Sequence, residues 1–200
     1  ADDLADVIAA TGATNAALVG FSMAGGEIAR YLSRHGGKGV SQAALISSVV
    51  PYMLQTEDNP HGVPAPMFAQ MTAGMKADRA HFFAGFFKDF YGVGVIKHPV
   101  SNELLENSLD VAMQASLKAT LACAEAFGMT DFRPDLAAFT VPTLIIHGTA
   151  DQTVPIDATG RAAAKAIPHA KFIEYDGAPH GLFATEKDRL TADLLAFLRQ

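Results

Sequence analysis

The chain has 200 residues, half of them hydrophobic and 18% charged, with a net charge of −6. That excludes a disordered or low-complexity chain and argues against nucleic acid or an anionic membrane surface as partner, since nothing clusters positive charge for phosphates. One cysteine, Cys123, rules out an internal disulfide framework and a zinc site built from several thiolates, and no apolar run approaches the roughly 20 residues of a membrane span.

Leu4, Val7 and Ile8 stand at helical spacing, and Gly12 is placed to end that helix. The start, ADDLADVIAATG, is acidic and amphipathic, unlike a signal peptide, which points to a soluble, intracellular protein. Ala16 to Phe21 is a short, almost wholly apolar run that suits a parallel strand buried on both faces. A helix follows from Met23 to about His35, stopped by Gly36-Gly37. Further apolar runs cover 43–50, 141–146 and 171–175, and a helix over 186–199 closes the chain. Strand, helix and strand at these separations require parallel pairing through right-handed crossovers, so the class is α/β.

The middle differs. Met67, Met71 and Met75 recur at i, i+4, i+8, followed by Phe82, Phe83, Phe86, Phe87 and Phe90 and a long helical pattern over 102–127. The division expected is a core of residues 1–50 and 136–200 with a helical cap inserted over 51–135. The Met and Phe side chains are read as core or subunit contact before they are read as the floor of a pocket. Cys123, within an apolar helical pattern, is expected to be buried filler.

Three segments could carry chemistry. Gly20-Phe21-Ser22-Met23-Ala24 lies where a strand turns directly into a helix. A nucleophile elbow holds its serine on such a turn, lifting the hydroxyl clear of the sheet, and Gly20, Ala24, Gly25 and Gly26 give the small neighbours that it needs. The Met23 N–H opening the helix is then the natural oxyanion donor. The motif is short, and a serine N-cap before Gly-rich packing would give the same letters. In His147-Gly148-Thr149-Ala150-Asp151 an acid follows the carboxyl end of a buried strand, at the ligand edge of a parallel sheet. Asp157 is better placed to cap the helical run over 158–167, which leaves Asp151 free, and His147 is placed to order the strand-end turn. In Gly177-Ala178-Pro179-His180-Gly181, His180 sits in a short turn after the last strand. Ser22, Asp151 and His180 thus follow three strand ends in the chain order of one class of serine hydrolase, supplying nucleophile, orienting acid and base. Metal-ligand clusters, phosphate loops and dinucleotide fingerprints are absent, so no cofactor and no metal are expected.

The segments 20–31 (GFSMAGGEIARY), 111–120 (VAMQASLKAT), 147–151 (HGTAD) and 175–182 (YDGAPHGL) resemble the bacterial cofactor-free haloperoxidases, α/β-hydrolases also described as perhydrolases and arylesterases. The likeness runs nearly the whole length. It implies a small acyl substrate, acylation of Ser22, and transfer of the acyl group to water (esterase) or hydrogen peroxide. In the second case the peracid oxidises halide without haem, metal or flavin. Ala24 stands where the family usually has Gly. The resemblance also implies about four strands before the elbow strand, with a loop giving the second oxyanion N–H. Only a helix precedes that strand here, so an exposed strand edge is expected. A fragment, a second chain completing the fold, or part of a longer polypeptide would each account for it. Association into homo-oligomers is a further expectation. Lactone or C–C bond hydrolysis by the same triad and a non-catalytic scaffold are the competing functions.

Overall fold

The computed structural model describes residues 1–200. Its sheet has four parallel strands in chain order: β1 (Ala16–Phe21), β2 (Val40–Ile46), β3 (Thr143–Gly148) and β4 (Lys171–Tyr175). Helix α1 (Asp2–Thr11) precedes β1, and α2 (Met23–His35) crosses from β1 to β2. The β2-to-β3 connection holds α3 (Ala65–Ala77), α4 (Arg79–Tyr91), α5 (Asn102–Gln114) and α6 (Leu117–Met129), then a 3-10 turn over Arg133–Ala138, and adds no strand to the sheet. Helix α7 (Gly160–Ala166) joins β3 to β4, and the chain ends in α8 (Leu182–Thr185) and α9 (Lys187–Leu198).

The apolar runs are continuous because the inner strands are covered on both sides. Alternate residues feed two separate cores. Ala43, Leu45 and Ile145 pack with Ile28 and Leu32 of α2 and with Phe132, Ala163 and Ile167. Ala44, Ile46, Leu144 and Ile146 pack with Tyr175, Leu182, Leu190 and Phe197 on the other face. Each fully buried Leu or Ile stabilises such a core by about 1.5–3 kcal/mol. The outer edge of β1 pairs with no strand, and Val19 is 47% exposed. No helix is long and apolar enough to cross a membrane.

Several boundaries differ from the sequence reading. β2 begins at Val40 and ends at Ile46, not at Val50, because Ser47 takes φ 45° and turns the chain out of the sheet. Val49 and Val50 remain buried, but in side-chain packing and not in a strand. The pattern over 102–127 is two helices, interrupted at Ala115-Ser116 where the Ser116 hydroxyl caps α6 by accepting from Ala119 N–H. Helix α7 covers only 160–166, and Asp157 does not cap it. Its carboxylate is ion-paired with Arg161, while Thr159 occupies the capping position.

Candidate active site

β1 ends at the edge from which α2 departs, and the reversal between them falls on one residue. Ser22 has φ 55° and ψ −118°, a backbone conformation that side chains other than Gly rarely adopt. Its N–H is tied to the Ile46 carbonyl at 2.9 Å, anchoring the turn to β2. The turn is tight enough that a Cβ on Gly20 would lie 2.8 Å from the backbone of Ala24 and Gly25. A Cβ on Gly25 or Gly26 would come closer still, to the Ser48 side chain and the Phe132 ring respectively. The N–H of Met23, first residue of α2, donates to no backbone carbonyl.

Ser22, Asp151 and His180 come together from the carboxyl ends of β1, β3 and β4. His180 Nε2 is 3.0 Å from Ser22 Oγ, and His180 Nδ1 is 2.7 Å from Asp151 Oδ2. The other Asp151 oxygen, Oδ1, accepts from Thr153 N–H at 2.9 Å and Val154 N–H at 2.7 Å. Burial alone would push the Asp151 carboxyl up. The His147 and His180 imidazoles beside it outweigh that and hold the group down at about 2. An ionised carboxylate only accepts, so His180 Nδ1 carries the hydrogen and Nε2 presents a lone pair to the Ser22 hydroxyl. His180 itself is 1% exposed. Its loop is pinned by the Gly181 N–H donating to the Phe90 carbonyl at 2.8 Å, and the Phe21 and Phe90 rings lie 4.9 and 4.8 Å from the imidazole.

A cavity of about 350 Å³ opens at Ser22 and His180, walled by Met71, Met75, Phe83, Phe86 and Phe90. Most of the Met and Phe residues expected in core or subunit contacts therefore form the apolar wall beside the serine. Met67 is 51% exposed and lines a neighbouring cavity. Cys123 is corrected too: it is exposed and lines the same cavity as Ser22, not the core. Helical periodicity marks an apolar face, and it cannot tell a face against the core from a face against a cavity. No group of three or more His, Cys, Asp or Glu side chains gathers as a metal site.

Sequence reasoning missed the second contact of His147. Its ring does reach the strand-end turn, with Nε2 2.9 Å from the Val154 carbonyl, but it also lies 3.3 Å from Asp151 Oδ2. The available signal was the i, i+4 spacing of the two residues across the tight turn after β3.

Residues 1–187 match the family model of the alpha/beta hydrolase fold. The chain is 37% identical, over its whole length and 74% of the relative's, to a non-heme chloroperoxidase from Kitasatospora aureofaciens. It is 38% identical, again over its whole length and 72% of the relative's, to a bifunctional esterase/perhydrolase from Acinetobacter calcoaceticus. Among solved structures it superposes on a bromoperoxidase from Bacillus anthracis with a TM-score of 0.95 at 39% identity, covering 99% of this chain and 72% of the other. The chain belongs to the α/β-hydrolase family, in its non-haem haloperoxidase and esterase group.

Proposed function

We propose that this α/β-hydrolase transfers acyl groups through Ser22, as an esterase toward water and as a perhydrolase toward hydrogen peroxide. The observation that carries the reading is the chain of hydrogen bonds from Asp151 through His180 to Ser22, ending at the mouth of an apolar cavity. Ser22 Oγ attacks the ester carbonyl as His180 Nε2 takes the hydroxyl proton. The imidazolium so formed is stabilised by the Asp151 carboxylate, and the oxyanion accepts from the free Met23 N–H. His180 then protonates the departing alcohol, leaving Ser22 acylated. Water or hydrogen peroxide gives its proton to His180 and takes the acyl group, releasing acid or peracid. The peracid oxidises halide in solution, so the protein's part ends with its release. The helices of residues 51–135 act as the cap that excludes water and holds the acyl chain against Met75, Phe83 and Phe86.

Labelling with a fluorophosphonate probe, followed by peptide mass analysis, tests the assignment. Wild-type protein is expected to carry the probe on Ser22 and to hydrolyse p-nitrophenyl acetate, and Ser22→Ala to do neither. An unlabelled Ser22 in folded protein refutes the nucleophile. Halogenation of monochlorodimedone is expected to need both hydrogen peroxide and a carboxylate. Halogenation without carboxylate sinks the peracid route.

A further inference from the structure

The Asp151 carboxylate is bracketed by two histidines. His180 reaches Oδ2 from one side at 2.7 Å, and His147, on β3, reaches the same oxygen from the other at 3.3 Å. The His147 side chain has no exposure to solvent. Its Nε2 faces the Val154 carbonyl at 2.9 Å, which only accepts, so Nε2 carries the hydrogen and donates to that carbonyl, while the Asp151 carboxylate lies beside the same N–H at 3.3 Å. Nδ1 has no partner at all. It faces Gly160, where a Cβ would stand 2.8 Å from it, and an N–H there would be buried with nothing to accept it. The ring is thus fixed as the Nε2–H tautomer, with its hydrogen on the Val154 carbonyl and its edge beside the acid.

We propose that His147 is a positioning residue for the reaction at Ser22: its Nε2–H, held on the Val154 carbonyl, keeps a partial positive charge 3.3 Å from Asp151 Oδ2, which steadies the carboxylate and draws part of its negative charge away from His180. The proposal rests on the assignment of Ser22, His180 and Asp151 made above. Thr153 and Val154 hold only Oδ1. With Oδ1 held by those two N–H groups and the edge of His147 3.3 Å from Oδ2, the orientation of the carboxylate toward His180 is set. A donor dipole beside Oδ2 also makes the carboxylate a weaker base, keeping the hydrogen on His180 Nδ1. Without that donor the undivided charge acts on His180 alone and favours the imidazolium, which cannot serve as base. The other charged group beside His147 is Glu174, its register partner on β4, and that carboxylate is already paired with Arg161 of α7. Ser22 and Asp151 are the polar groups that meet the His180 ring.

Two variants test this, His147→Leu, which removes the donor, and His147→Gln, which keeps an amide N–H near the position of Nε2. His147→Leu is expected to move the acid limb of kcat/KM to higher pH by about half a unit to one unit. It is also expected to lower kcat by about ten-fold with little change in KM. The low-field proton resonance of the His180–Asp151 hydrogen bond should shift as well, and His147→Gln should restore both readouts. A folded His147→Leu protein with an unchanged pH profile and resonance overturns the proposal, as does a Gln variant that behaves like Leu. If neither variant folds, nitrogen NMR of the labelled wild-type histidines decides. A hydrogen on Nε2 of His147 is expected, and one on Nδ1 refutes the geometry. The resonances need no turnover, so failure of the Ser22 assignment would show separately, as wild-type protein that takes no fluorophosphonate.

Discussion

An Asp151→Asn exchange keeps the shape of the acid and removes its charge, and the surrounding hydrogen bonds dictate how the amide must sit. Oδ1 accepts from two backbone N–H groups at 2.9 and 2.7 Å, so the amide oxygen has to take that place. Its NH2 then stands where Oδ2 was, facing donors on both His180 and His147. His180 escapes the clash by moving its hydrogen to Nε2 and accepting at Nδ1. That places an N–H against Ser22 Oγ, where a lone pair is needed to take the hydroxyl proton. The imidazolium also loses a carboxylate whose charge lies about 4 Å away, worth about 4 kcal/mol near a protein surface. At about 1.4 kcal/mol per ten-fold in rate, the charge alone accounts for about 10³, and the inverted tautomer takes the loss toward about 10⁴. The assay is kcat for p-nitrophenyl acetate, with circular dichroism to show that the variant is folded. A folded variant that loses less than about ten-fold would refute the role assigned to Asp151.

The same carboxyl makes a contribution to stability whose sign is fixed. Its folded value of about 2 lies below the ordinary 3.8, so the stabilisation is present above about pH 4 and is lost as pH falls through about 2. The shift corresponds to about 2 kcal/mol, and chemical denaturation should show the gap between wild type and Asp151→Asn closing over that interval; a constant gap would contradict it. Gly25→Ala would drive a methyl into the Ser48 side chain and within 3.3 Å of Leu45, so a loss of about 1–3 kcal/mol is expected in thermal or urea unfolding. Because Val49 N–H donates to the Ser22 carbonyl next to that contact, the variant should also label more slowly with fluorophosphonate. Alkylating the exposed Cys123 with N-ethylmaleimide fills the cavity beside Ser22 and should cut kcat/KM by about ten-fold, with Cys123→Ser resistant. Full activity after complete alkylation would place the acyl chain elsewhere.

The strands and the chemistry at their ends were both legible. Ala16–Phe21 and Lys171–Tyr175 are strands in the structure over those same residues. As the edge strands they are only partly buried, with Val19, Lys171 and Glu174 exposed, and only the inner strands β2 and β3 carry the two-sided burial that the apolar runs suggested. A reversal directly from strand to helix leaves no room for side chains, so Gly20 and Gly25 marked where Ser22 would be raised. The end of β2 was not legible, because Val49 and Val50 are apolar for burial in packing and look like strand residues in a linear reading. The convergence of Ser22, Asp151 and His180 follows from the parallel topology, which brings all the carboxyl ends to one edge. Chain order alone was enough to anticipate it.

What stayed hidden depends on distances between elements that are not neighbours in sequence. Met75 on α3 and Phe83, Phe86 and Phe90 on α4 have the composition of a core, and only the gap that the helices leave above Ser22 turns them into a wall. Cys123 is on the same footing: an apolar stripe on α6 faces that gap, so the thiol is open where periodicity placed it inside. His147 is the sharper case. Its burial was foreseeable from β3, whose residues are all buried, but a buried imidazole needs a partner for each nitrogen that carries hydrogen. The turn from Gly148 to Asp151 brings the carboxylate back beneath the ring, and Gly160 leaves the far side of the ring without an acceptor. A residue that served packing alone would be cheaper as Leu at this position, since burying an imidazole costs desolvation that a hydrocarbon does not. The Nε2–H bond to the Val154 carbonyl offsets part of that cost, and the 3.3 Å approach to Asp151 is the feature that the His147 variants put to the test.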